Sequence, residues 1–256
     1  MCTTIILYRK DSKWPLIVGS NRDENLKRKS KFPGRHWKKN YPNIIGGLDL
    51  KAKGTWCAIN DQGLLSIIHN RMLEKDNKKK KITRGKIILN ILKKKNLEEI
   101  LFFLTKLDTS IYNGFNLIFA DSKNCYWAKH VSTSKKIEIK NINEGYSILS
   151  YGDLNDFENE KSNFYHKKFT KAEIPDPLMG KWDSWKKILT FNRRYINSNF
   201  HNSICFEDKK NNYGTKSSSL IALPSICHNN MKKNKPVYLA TEISPLYSNY
   251  KKVNFR

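Results

Sequence analysis

Residues 1–24 read MCTTIILYRKDSKWPLIVGSNRDE, and this stretch decides the fold. Thr3–Tyr8 concentrates β-branched and aromatic residues, and Leu16–Ser20 is a second short apolar run after Trp14-Pro15. Asp11-Ser12 supplies the turn chemistry between them, so the chain is expected to open on a β-hairpin. Cys2 stands directly after the initiator methionine. Removal of Met1 would give Cys2 a free α-amine with pKa ~7.7–8.0, close to the ~8.5 of a thiol. One residue would then hold both nucleophile and general base, the arrangement known for terminal threonine. Position alone favours a plainer reading, a small buried hydrophobe at the start of a strand.

Working outward, residues 25–43, with Pro33-Gly34 and Pro42, read as a polar loop. Thr55–Asn60 and Leu64–Asn70 read as strands joined through Asp61-Gln62-Gly63. The period then turns helical. Ile87, Ile88, Ile91 and Leu92 share one face, as do Ile100, Leu101, Leu104 and Leu107, so two helices are predicted over 84–107. Asn96 followed by Glu99 has the form of a capping box. Strand patterns return at Phe115–Ala120, Cys125–Val131, Lys136–Ile142 and Ser147–Ser150. Helices follow near 156–171 and 183–197, separated by Pro175 and Pro177, and Ser218–Leu223 and Val237–Thr241 close the pattern. This order predicts an α+β fold in which two sheets are sandwiched between helical layers. The expected organisation is one domain over 1–256, with no repeat and no long linker.

Composition bounds the function. The net charge is +25, which invites a nucleic-acid or anionic-membrane reading. The excess is 39 Lys against 9 Arg, alongside 28 Asn and 26 Ile, all residues of A/T-rich codons. Nucleic-acid readers rely on arginine for bidentate contacts, so compositional drift explains the charge better than a selected basic patch, and no specific nucleic acid is expected as a partner. The five cysteines, Cys2, Cys57, Cys125, Cys205 and Cys227, include no C-x-x-C pair, which argues against a zinc site or a disulfide framework. Reduced thiols, no signal-peptide pattern and no run approaching ~20 apolar residues point to a cytoplasmic protein with no transmembrane segment.

The company Cys2 keeps resembles the NRDE, or transport and Golgi organisation protein 2, family. MCT opens the chain, GSNRDE occupies 19–24, a GG-D-A-GTW-IN-GL pattern runs from Gly46 to Leu64, and YGTKSSS at 213–219 is similar to the family's YGTRS stretch. The resemblance implies the four-layer αββα sandwich of the N-terminal-nucleophile hydrolases. A more distant likeness joins the choloylglycine and penicillin-V acylases, which cleave amides with a terminal cysteine. Their N-x-D block falls on Asn21 and Asp23, and their N-E-K-G-L…N block on Asn60, Gly63, Leu64 and Asn70. What the likeness implies is Cys2 as nucleophile, Asp23 as partner of its α-amine and Asn70 as a side-chain oxyanion donor. Each role is chemically sensible: a carboxylate orients an amine and tunes its basicity, and a preorganised amide stabilises charge on a carbonyl oxygen.

Asn21, Arg22, Tyr151 and Lys216 are the expected substrate-binding residues. Arg22 and Glu24 flank Asp23 and alternate to the opposite side if the strand continues. Arg22 then anchors a substrate carboxylate or forms an ion pair within the turn. Two positions depart from the family pattern. Leu149-Ser150-Tyr151 replaces an expected Leu-Ser-Asn, and Lys216 replaces the arginine of YGTR. Fold tolerates both; hydrolytic activity is more sensitive. Asn60 reads as a turn residue and His69 as a packed or solvated side chain. Cys227-His228 lacks the flanking pattern of a haem ligand, and Trp182 and Trp185 read as core or groove lining. The function implied is hydrolysis of a small linear amide or acyl compound through a thioester, with no cofactor and no metal. The rival is a non-catalytic carrier of a small ligand, haem or a lipid-like acyl compound, on the same fold.

Overall fold

The computed structural model describes residues 2–71, 81–192, 202–225 and 235–255. Along the chain the strands are β1 (Thr3–Tyr8), β2 (Leu16–Asn25), β3 (Ser30–Gly34), β4 (Ile44–Asp49), β5 (Cys57–Asn60) and β6 (Leu65–Asn70). Helices α1 (Gly85–Leu92) and α2 (Leu97–Thr105) precede β7 (Phe115–Ala120), β8 (Cys125–His130), β9 (Ile137–Asn141) and β10 (Gly145–Leu149). Then come α3 (Glu160–Thr170), α4 (Asp183–Leu189), β11 (Glu207–Asp208), β12 (Tyr213–Leu223), β13 (Val237–Ala240) and β14 (Lys251–Lys252). The residues divide into two units, one of Met1–Arg28 with Asn143–Val253 and one of Lys29–Ile142 with Asn254–Arg256.

In the first unit the antiparallel sheet runs β10-β1-β2-β12-β13-β14, with β11 on β12. The opening hairpin is present: Thr3 faces Asn21 and Tyr8 faces Leu16. Alternation sends Ile5, Leu7 and Ile17 into a core with Tyr165 and Phe169 of α3 and Trp185 and Leu189 of α4. Trp182 and Trp185, 1% and 0% exposed, are core as expected. Gly19 lets α4 approach the sheet: a Cβ there would sit 3.2 Å from side-chain atoms of Ile5, Leu189 and Trp185.

β2 is longer than its apolar run suggests. Beyond Ser20 it continues through Asn21, Arg22, Asp23 and Glu24 to Asn25, because β12 is equally long and pairs with it from Leu223↔Leu16 to Tyr213↔Asn25. The polar NRDE segment therefore lies on a paired strand. One irregularity interrupts the pairing. Thr215 faces Asp23 and Ser217 faces Arg22, so Lys216 is an extra residue bulged out of register.

The second unit is a sheet in strictly sequential order, β3-β4-β5-β6-β7-β8-β9, all antiparallel. Its core gathers Ile87, Ile88 and Ile91 of α1 and Ile100 and Leu104 of α2 over Leu117 and Phe119 of β7. Asn96 caps α2, its side chain accepting from the Glu99 amide at 2.9 Å. Glu99 completes only part of the box, reaching the Lys95 amide at 3.2 Å. The expected loop over 25–43 in fact contains β3, an edge strand whose Pro33 breaks the pairing register between Lys31 and Gly34. β4 follows it. At Gly47 a Cβ would fall 2.3 Å from the Trp56 ring, so this strand is built where only glycine fits. The helix expected over 183–197 ends at Leu189 with Thr190 as its cap, and residues 193–197 lie outside the described residues.

Candidate active site

Cys2 immediately precedes β1, which places it beside the polar end of β2. The Asp23 amide donates to the Cys2 sulfur at 3.3 Å, and the thiol lies 3.6 Å from the Asp23 carbonyl. Cys2 retains partial exposure. Burial of the sulfur, then the negative charge of Asp23, pushes its thiol above the ordinary range, while the Asp23 amide and Arg22 pull it down.

Asn21 and Asp23 share one side of β2 and Arg22 takes the other, as alternation requires. The Asp23 carboxylate accepts from the Thr215 hydroxyl at 2.7 Å. That hydroxyl in turn accepts from the Phe206 amide at 3.2 Å. Asn21 is fully buried and donates both N–H groups to main-chain carbonyls, Leu189 at 2.8 Å and Ile204 at 2.9 Å. It ties the end of α4 and the 203–206 segment to the sheet and has no N–H left for a ligand.

Arg22, 5% exposed, lies 3.8 Å from Glu24. The bulge turns Lys216 so that its ammonium donates to the Leu26 carbonyl at 2.6 Å. Burial, then the neighbouring Arg22 charge, pushes Lys216 below the usual lysine range, with Glu207 and Glu24 opposing. Two cations and two carboxylates thus share one side of this strand pair. Tyr151 follows β10, and its hydroxyl accepts from Asn159, the N-cap of α3. Asn70 ends β6 in the second unit, exposed and opposite Phe115. His69 is 3% exposed. Asn60 serves as a turn residue, its side-chain oxygen accepting from the Gln62 and Leu64 amides. Cys227 and His228 lie outside the described residues.

Four neighbours of Cys2 and Asp23 escaped sequence reasoning. Tyr213 donates from its hydroxyl to the Asp23 carbonyl at 3.3 Å, and burial, then Cys2 and Asp23, pushes its phenol up. Cys205 is buried, its thiol pushed up to about 12 by burial and then by Asp23. Lys161, in the first turn of α3, is 1% exposed. Burial pushes its ammonium down, against the opposing pull of Asp23, Cys2 and Cys205. Thr215 is the fourth. Tyr213 and Thr215 sit in the YGTK block and were findable there, but nothing in sequence separates Lys161 from the other lysines. Among the described residues no cluster of three or more His, Cys, Asp or Glu is arranged to hold a metal, and no helix is long and apolar enough to cross a membrane.

Comparison with known structures defines the class. The chain is similar to the Caenorhabditis elegans N-acylethanolamine-hydrolyzing acid amidase ortholog, with TM-score 0.56 and 11% identity over 86% of this chain and 92% of that one. It is similar to the C2A mutant of conjugated bile acid hydrolase from Clostridium perfringens, with TM-score 0.51 and 13% identity over 100% and 97%. It also resembles penicillin V acylase from Agrobacterium tumefaciens, with TM-score 0.52 and 12% identity over 99% and 86%. These likenesses give the chain the fold of the N-terminal-nucleophile hydrolases. No curated protein matches the sequence. The family model for Transport and Golgi organisation 2 matches residues 1–231, and the chain belongs to that family.

Proposed function

We propose that the protein is a cytoplasmic hydrolase of a small linear amide or acyl compound, with Cys2 as nucleophile. The observation that carries this reading is the Cys2 sulfur resting against the Asp23 amide at the polar end of β2. The bile acid hydrolase it resembles also carries a cysteine at its second position, replaced in the C2A mutant. After loss of Met1, the Cys2 α-amine takes the thiol proton as sulfur bonds to the substrate carbonyl carbon, and the carbonyl π electrons move to oxygen. The likeness to the acylases assigns that oxyanion to the side-chain amide of Asn70 and the orienting of the ammonium to Asp23. Collapse breaks the bond to the leaving group, which departs with the proton from the ammonium and leaves a thioester. Water, deprotonated by the same amine, attacks the thioester and releases a carboxylic acid and the free thiol.

Intact-mass analysis of untagged protein, before and after a thiol-directed acylating probe, tests the reading. The expected result is loss of one methionine and one acyl group mapped to Cys2. Retention of Met1 in the native host would remove the base and the mechanism with it.

One observation favours carriage of a small ligand instead. Tyr151 stands where the related acylases have Asn and is engaged with the cap of α3. On that reading haem or an acyl compound binds stoichiometrically, and Cys2→Ala leaves its affinity intact.

A further inference from the structure

Lysine is almost never fully buried unless its charge is answered, and Lys161 is 1% exposed. It lies one turn before Tyr165 on the same face of α3. That face is fixed against the site. The Tyr165 hydroxyl accepts from the Ile204 amide at 3.0 Å, and the Ile204 carbonyl accepts from Asn21 at 2.9 Å. Two residues on, the Phe206 amide meets the Thr215 hydroxyl at 3.2 Å, which binds Asp23 at 2.7 Å. Lys161 is thus buried on the face of α3 that Tyr165 fixes to the 203–206 segment, and the acidic groups acting on it are Asp23, Cys2 and Cys205.

We propose that Lys161 is a positioning residue of the Cys2 site, its buried ammonium balancing the Asp23 carboxylate so that a thiolate can form beside it. This rests on Cys2 being the nucleophile. The physical need is plain: a thiolate next to an unanswered carboxylate is a buried like-charge pair. The charged and titratable groups acting on the Cys2 sulfur are Asp23 and Arg22 from β2, Tyr213 from β12 and Lys161 from α3. Arg22 takes the far side of β2 towards Glu24, so of these described groups Lys161 is the cation that acts on Asp23 from its own side of the strand.

The experiment measures the rate of Cys2 carboxamidomethylation by iodoacetamide, mapped to its peptide, from neutral to alkaline pH. Wild type is compared with Lys161→Met, Lys161→Gln and Lys161→Arg, with melting measured on the same preparations. The neutral variants should move the midpoint to higher pH and slow labelling at neutral pH by about tenfold or more, tenfold being one unit of pKa. Lys161→Arg should restore the wild-type profile. If the neutral variants unfold, Asp23→Asn combined with Lys161→Met removes both charges, and recovery of folding supports the pairing while continued unfolding overturns it. An unmoved midpoint in folded neutral variants, or failure of arginine to rescue, also overturns the proposal and leaves the Cys2 reading standing. A wild-type Cys2 that never labels sinks the Cys2 reading, and this proposal falls with it.

Discussion

At the scale of single residues, buried thiols carry a stability signature. Cys205 has its folded-state pKa raised to about 12, against ~8.5 in an unfolded chain. An acid whose folded pKa is raised contributes stability below the unfolded value, lost as pH rises towards the folded one, because the unfolded thiol sheds its proton first. Melting temperature should therefore fall as pH climbs above the ordinary thiol range, and Cys205→Ala should flatten that fall. A profile with the same alkaline slope in both proteins would contradict it. Thr215→Val should destabilise by about 1–3 kcal/mol, since it strips buried Asp23 and the Phe206 amide of their shared hydroxyl; denaturant titration reads this directly. Asn70→Ala should lower turnover of a hydrolysable amide by ~10²–10³ with little change in substrate affinity. If Asn70 merely ends a strand, turnover per folded molecule will stay at wild type.

At the scale of elements, what was legible followed from apolar runs and periodicity. β1 and β7 were readable as short, mainly apolar runs, buried along their whole length, and both helices of the second unit because apolar residues recur at 3.6 along them. The end of β2 was not, because Asn21–Glu24 are polar, and their strand character comes from β12, almost two hundred residues away in sequence. β3 and β4 were hidden by Pro33, Gly46 and Gly47, residues that argue against strands unless the neighbouring packing is known. Of the site, Cys2, Asp23 and Lys216 could be named from motifs. Asn21's role as a tie was invisible because its partners are main-chain carbonyls, which carry no sequence signal. The packing at Gly19 yields a sharp expectation. Gly19→Ala should destabilise by about 1–3 kcal/mol through overpacking, since its Cβ would press on Trp185 and Leu189 at 3.2 Å. A neutral substitution would mean that α4 shifts freely.

At the scale of the molecule, the net charge of +25 lies largely on lysines, with few arginine forks to read bases. Duplex DNA should bind no tighter than ~10⁻⁴–10⁻⁶ M at physiological salt, falling steeply as salt rises. A nanomolar, sequence-selective complex in a filter-binding or anisotropy assay would overturn that. The first unit is also discontinuous: β1 and β2 are its central strands, yet they pair with β10 and β12. A ribosome adding ~5–20 residues per second needs on the order of ten seconds or more to travel from β2 to β12. During that interval the amino end has no completed sheet to fold into. If Met1 is removed, as the proposed function requires, this interval leaves the amino end open to trimming before residues 213–223 pair with β2.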